Sequence, residues 1–422
     1  MSELNQFIGD VKSGRLGNLS PQQEVVLKQV WVNILYKLGH SNLTLPDYLK
    51  VDSNDSSIDD KKSSSSGLGK WTGFGKKKSS TENKSTEFKI HDSFKPLPKE
   101  VLQKVFFSFL RADYPDNLLL RFVRARKWNL TNSITMIVDT VKWRSEEKIE
   151  PDNLILQGEK FMLKNPSDIE SGLVDKNLKL LKSVICGRDL LGRPIVLVRP
   201  KLHHAKDQTE EAMERYAILI IESTRLYLRE KNSIDQAMII FDLTDFKTSN
   251  MDYAPVKFLI KCFEAHYPEC LGKLLVHKAP WIFTPIWNII KNWLDPVVAD
   301  KISFSKNLKD LEKYISKDQI PQYLGGQSTF DLDKYPEQQV LESSLLSDSK
   351  TLESLKQERS ELIKDFIQQT CTWVQNTDES KRQALIDERL KMSIALAENF
   401  KKMDPYVRNR GMYDVLGELQ LE

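Results

Sequence analysis

Cysteine is scarce in this chain: four in 422 residues, Cys186, Cys262, Cys270 and Cys371, with no C-x-x-C pair. Such wide spacing argues against a disulfide framework or a thiolate zinc site and leaves packing as the role of the thiols. Long apolar runs are missing too. The greasiest stretch, 281–294, is broken by Lys, Asn and Pro and falls short of the ~20 residues a membrane span needs. Charge of one sign is not in excess, and a net +3 is too small to draw nucleic acid to the whole surface. The opening MSELNQFIGDVK has neither a basic segment followed by an apolar one nor an Arg-rich pattern, so the sequence predicts a cytoplasmic protein.

The signatures of catalysis are equally sparse. No nucleophile elbow, phosphate loop or dinucleotide fingerprint occurs in the half of the chain that alternates strands and helices. The glycine- and lysine-rich run 67–78 lacks the G-x-x-x-x-G-K-[ST] order and no strand precedes it. His203 and His204 are adjacent, so an extended backbone would point them to opposite faces, away from a shared metal. His266 and Glu269 are three apart, but Pro268 between them ends a helix, and no third ligand stands at a metal spacing. Neither an enzyme, a metal nor a cofactor is expected.

What is present reads as five segments. Ser20-Pro21-Gln22-Gln23 can start a helix by reciprocal side-chain bonds, and Val26, Val30, Ile34 and Leu38 give that helix an apolar face that needs a partner, within segment 1–50. Segment 51–90 is Ser, Lys, Asp and Gly with too little apolar surface to offset the entropy of ordering, hence a disordered linker. Lys76 to Lys78 beside Trp71 and Phe74 could touch anionic lipid at roughly 1 kcal/mol each, against the blander reading of a solvated stretch. From 91 to 150 the apolar spacing is helical, a small bundle. Beyond it, to 330, strand-like runs at 180–186, 194–199, 237–241, 274–278 and 302–304 alternate with helical ones. That alternation predicts an α/β lobe with a mixed, largely parallel sheet, whose first two strands pair through the turn G-R-D-L-L-G-R-P. Segment 331–422 carries helix formers and predicts two or three C-terminal helices.

The strangest stretch is 279–296, where Pro280 and Pro285 bracket a first turn and Trp281, Trp287 and Trp293 recur. A helix so apolar either belongs to a core or covers a greasy cavity and dips into a membrane interface.

Four motifs in order, R-F-V-R-A-R-K-W at 121–128, D-L-L-G-R-P at 189–194, H-Y-P-E at 266–269 and A-P through L-D-P at 279–296, resemble the CRAL-TRIO family. The likeness covers about residues 95 to 330 and is nearest to fungal phosphatidylinositol transfer proteins. It implies a helical N-terminal part, a sheet flooring a lipid pocket, and a mobile gate helix carrying Trp281, Phe283, Trp287, Ile290 and Trp293. The inositol headgroup positions of the family fall on Arg126, Glu269 and Lys301, where two cations meet a phosphodiester and a carboxylate accepts from hydroxyls. An ion-pair network at a domain boundary is the competing reading of the same three. Val298 stands where the family has a hydroxyl residue.

Phosphatidylcholine-binding members carry a Ser, a Thr and an Arg at positions that here read Ala237, Ile239 and Cys270. Without those donors a choline lipid's phosphate would lie unmet at ~1–3 kcal/mol per group. The resemblance therefore implies phosphatidylinositol carriage without phosphatidylcholine, a sterol or isoprenoid as second ligand, and transient membrane-surface contact. Peripheral association with internal membranes such as endosomes and lipid droplets, and a lipid-signalling enzyme partner, belong to the same expectation. A lipid-sensing adaptor and a lipid hydrolase are the alternatives.

Overall fold

The computed structural model describes residues 12–50, 88–145, 150–228 and 234–421. Residues 51–87 of the segment expected to be a linker, its basic-aromatic run at 67–78 included, lie outside these, whereas Phe88 near its end packs on Tyr36 at 4.5 Å between rings. The first helix, α1 (Pro21–Lys37), starts with the capping box read from the sequence: Gln23 N donates to Ser20 Oγ and Ser20 N to Gln23 Oε1. Most of its apolar face is buried, with Trp31 at 0% exposure and Val26 partly covered. The partners are α2 (Lys99–Leu110), α3 (Pro115–Ala125), α4 (Leu130–Arg144) and two long helices from the far end of the chain, α13 (Ser349–Gln375) and α14 (Glu379–Val407). Trp31 Nε1 donates to Asp116 Oδ1 at 2.7 Å on α3, Arg389 of α14 pairs with the same carboxylate, and Arg382 pairs with Glu24. Helix α1 and the long helices α13 and α14 thus share one helical layer.

Helices α5 (Pro151–Lys164) and α6 (Ile169–Lys179) lead to the sheet. It comprises β1 (Ser183–Arg188), β2 (Pro194–Val198), β3 (Ala237–Asp242), β4 (Leu271–His277) and β5 (Ile302–Ser305), in that order. The β1–β2 pair is antiparallel and the rest are parallel. Asp189 ties the turn between them, accepting from Leu191 N and Arg193 N at 2.9 Å each. Gly187, at φ +71 with Gln319 O 2.9 Å from where a Cβ would stand, has no room for a side chain.

Because the strand order is sequential, every crossover steps the same way, and right-handed connections then put all connecting helices on one face. These are α7 (Glu210–Arg225), α8 (Tyr253–Lys261) and α9 (Phe283–Ile290), followed by the short α10 (Pro296–Ala299). The helix expected to reach His266 instead loosens at Cys262 into a π-turn, Cys262–His266. There His266 stacks on Trp143 at 4.1 Å between rings, and its ring is pulled down to about 4 by burial. The opposite sheet face, with Leu197, Met238, Ile240 and Leu275 buried, is covered by α11 (Leu308–Glu312) and the chain after it. Tyr323 of that segment donates to Asp242 Oδ2 at 2.8 Å. Helix α12 (Glu337–Glu342) and the last turn, α15 (Met412–Val415), close the lobe beside α5.

A buried ionic cluster binds bundle to lobe. Arg144 reaches Glu222 of α7 at 2.8 Å and Asp152 at 2.6 Å, Tyr267 donates to Glu222 at 2.7 Å, and Arg225 reaches Glu222 at 3.0 Å. Burial alone would raise the Asp152 carboxyl, but the Arg144 and Arg111 guanidiniums hold it well below the usual range.

Candidate functional site

The helices on the cavity-bearing face do not settle onto the sheet. Val196 and Val198, then Ala237, Ile239 and Phe241, then Leu274 and Val276 point at a gap, as alternation along each strand requires. Across it, α7 turns Met213, Ala217, Ile220 and Thr224 inward and α8 contributes Val256, Leu259 and Ile260. The gap is a cavity of ≈ 260 Å³, counted as space open to the centres of water molecules. One such molecule needs only ~10–15 Å³, so this is far beyond a packing defect.

Helix α9 closes the cavity with Phe283, Trp287 and Ile290, spaced i, i+4 and i+7 on one stripe. Pro285 sits in its first turn, where no intrahelical N–H is required. Trp281 precedes the helix and is 86% exposed, while Trp293 falls in the 3₁₀ turn after it, stacked edge-on against Tyr253 at 5.5 Å. The three tryptophans therefore split into one lining residue, one edge packer and one exposed ring. Ile289, Val297 and Phe304 add exposed apolar surface on and beside the same helix.

Of the residues singled out by resemblance, Ala237, Ile239, Cys270 and Val298 line the cavity, whereas Arg126, Glu269 and Lys301 are not among its lining residues. Arg126 Nη2 donates to the Glu264 carbonyl at 3.3 Å, and Glu264 Oε1 accepts from Asp295 N at 2.8 Å. Lys301 N donates to the Val298 carbonyl at 3.1 Å. Arg126 and Lys301 thus border one turn, 294–298, whose Leu294 and Val298 face inward. That turn is a rim at the N-terminal ends of β4 and β5. Neither cation has a carboxylate partner among the described residues. Glu269 differs: at φ +61 it pairs with Arg124 at 3.4 Å, and Arg124 also donates to Gly14 O at 2.9 Å. The three do not pair with one another among the described residues. The second arginine of the R-F-V-R-A-R-K-W run, not the third, holds the glutamate, a choice that the run alone leaves open.

Two groupings were not foreseen, His203 having been weighed only as a metal ligand and Lys182 not at all. At the other end of the cavity, level with the C-terminal end of β2, Lys182 and His203 line the wall and meet at Gln208. Lys182 Nζ donates to Gln208 Oε1 at 3.1 Å, and His203 lies 2.8 Å from Gln208 Nε2 and 3.2 Å from Asp252 Oδ2. A single Lys before a strand carries no signal that would have marked it. His277 and Ser305, 2.9 Å apart, form a buried Ser–His pair on the sheet face away from the cavity, so no group inside the cavity reaches them. Burial raises the Cys270 thiol, which weakens it as a nucleophile. Among the described residues no cluster of metal-ligating side chains occurs and no helix is long and apolar enough to cross a membrane.

A helical bundle followed by a lobe whose largely parallel sheet floors a helix-covered cavity defines a class, and comparison with known proteins gives it a name: the chain belongs to the CRAL/TRIO family. The CRAL/TRIO domain model matches residues 178–326 and the CRAL/TRIO N-terminal domain model residues 78–139. The likeness extends beyond those domains. The phosphatidylinositol transfer protein CSR1 of Eremothecium gossypii is 42% identical over 447 residues, covering 97% of this chain and 98% of that protein. A CRAL-TRIO domain-containing protein of Schizosaccharomyces pombe is 36% identical, covering 96% and 92%. The Sec14 cytosolic factor of the same yeast is 28% identical over 50% of this chain and 74% of its own.

Proposed function

We propose that the chain is a phosphatidylinositol carrier that holds one lipid in the gated cavity and exchanges it at a membrane surface without covalent chemistry. The observation that supports this most is the cavity itself: apolar walls beside a rim with two cations, Arg126 and Lys301, that lack carboxylate partners. Acyl chains gain ~0.8 kcal/mol per methylene on leaving water, and the closed gate keeps them there. Arg126 and Lys301 then face the phosphodiester at the rim, with Glu269 near the inositol hydroxyls. The full-length relative named a phosphatidylinositol transfer protein agrees with this reading.

Apolar Ala237, Ile239 and Cys270 at the rim end disfavour phosphatidylcholine and suit a sterol or isoprenoid as second ligand. The exposed face of Trp281, Ile289, Val297 and Phe304 serves transient contact with internal membranes, endosomes and lipid droplets included. A lipid-signalling enzyme is the partner that would use the exchanged lipid. The test is mass spectrometry of lipids copurifying with the chain, followed by transfer of labelled phosphatidylinositol between vesicles. Phosphatidylinositol recovered unchanged in the acceptor supports the reading. Abundant bound phosphatidylcholine, or hydrolysed label, defeats it.

A further inference from the structure

The Lys182 end of the cavity is unlike the rest of its wall. Lys182 is 5% exposed, lines the cavity and has no carboxylate partner among the described residues. The charged groups around it are already engaged. Lys176 and Asp207 pair with each other at 3.8 Å nearer the surface. Arg199 donates to the carbonyls of Leu180 and Leu181, and Asp252 faces His203 at 3.2 Å. A buried ammonium in apolar surroundings is costly until an anion meets it.

We propose that this end of the cavity binds the carboxylate of a long-chain fatty acid, with Lys182 as its counter-ion and the Gln208–His203–Asp252 chain holding the lysine in place. The inference rests on the cavity being a lipid site but not on phosphatidylinositol as its lipid. A monoanion matches one cation that no carboxylate pairs with directly, whereas a phosphomonoester carries close to two charges, and the Arg199 guanidinium is bound to carbonyls. A neutral hydroxyl would leave the ammonium's charge unmet. The length also fits. Leu271–His277 of β4 spans seven residues, about 20 Å between the two ends of the cavity, which an extended chain of on the order of fifteen carbons covers. Burial has already pulled the lysine down to about 8, so its charge depends on what enters.

The test uses the delipidated full chain and compares oleate with methyl oleate, which has the same tail and no charge. Oleate should bind about tenfold to a hundredfold tighter. Lys182→Met should erase that preference and Lys182→Arg should keep it. The preference should shrink as pH rises from about 7 to about 9, because the ammonium loses its proton over that range. Equal binding of the two probes, or an unchanged preference in Lys182→Met, overturns the proposal. So does dioleoyl phosphatidate displacing oleate at equal concentration in a Lys182-dependent way, since that would assign the site to phosphate. If the wild type transfers no phosphatidylinositol between vesicles while its Lys182-dependent oleate binding persists, the reading of the preceding section falls and this one stands.

Discussion

At the scale of single residues, the two ends of the cavity differ in what each charge is tied to. Among the described residues the Arg126 guanidinium meets the Glu264 carbonyl and neither Arg126 nor Lys301 has an ion-pair partner, so Arg126→Ala and Lys301→Ala should each cut phosphatidylinositol transfer about tenfold. Their melting temperatures should stay within about 2 °C of the parent. Glu269→Ala should behave differently, because it strands the largely covered Arg124 side chain. The expected loss is about 1–3 kcal/mol in urea unfolding as well as a loss of transfer. A Glu269→Ala chain as stable as the parent would show the pair to be idle. The ionic cluster gives a second residue-scale prediction. Asp152 is held below its ordinary value in the fold, so the stability it contributes is complete above its unfolded value of about 4 and is lost as pH falls below that. Asp152→Asn should therefore be destabilised at neutral pH and approach the parent as both are acidified, as denaturant midpoints across pH will show. Arg144→Met leaves Glu222 buried with one partner fewer and should cost about 3–5 kcal/mol.

At the scale of elements, α9 is the one whose sequence pattern had two readings, core or gate, and in the structure it forms part of the cavity wall. Its inner stripe packs with Leu243, Phe246 and Val276 in a small apolar cluster of its own, distinct from the main core. Phe246 and Phe283 meet edge-on at 6.0 Å, and Trp287 meets Phe304 at 5.2 Å. Under the gating proposed above, an element held by a separate cluster lifts without opening the core. Trp281→Ala, at an exposed ring, should leave stability unchanged and weaken vesicle flotation. Trp287→Ala should speed lipid loss from the loaded protein, measured as dequenching of a labelled lipid. If flotation survives Trp281→Ala, the exposed face is not the docking face. The edge strand β1 carries a different device: Ile185 N donates to Tyr413 Oη at 2.9 Å, so the C-terminal turn caps an edge that would otherwise be open. Tyr413→Phe leaves that buried N–H unmet and should cost about 1–3 kcal/mol in urea unfolding.

At the scale of the whole molecule, the five strands lie within a few residues of where β-branched runs and turn residues put them, and the β1–β2 hairpin follows from its turn chemistry. The helix starting at Ser20 was equally legible, because a capping box and a 3.6-residue stripe are local facts. What that stripe packs against was not. Trp31 meets Phe366 at 5.4 Å across more than three hundred residues of chain, and nothing local to either segment says so. The motif order carried the family, and with it Ala237, Ile239, Cys270 and Val298 as cavity residues. Only the fold shows that Arg126 and Lys301 stand at a rim outside the lining and that Glu269 is claimed by Arg124. The cavity is the deepest case. Apolar residues at strand and helix spacing read the same whether another side chain or an empty space faces them, since periodicity reports which face is covered and not by what. Sequence thus determined the elements, their order and the sheet's mixed pairing through local propensity and pattern. The tertiary structure alone decided where three helices stop short of the sheet, and hence which charges, Lys182 above all, are left facing the gap.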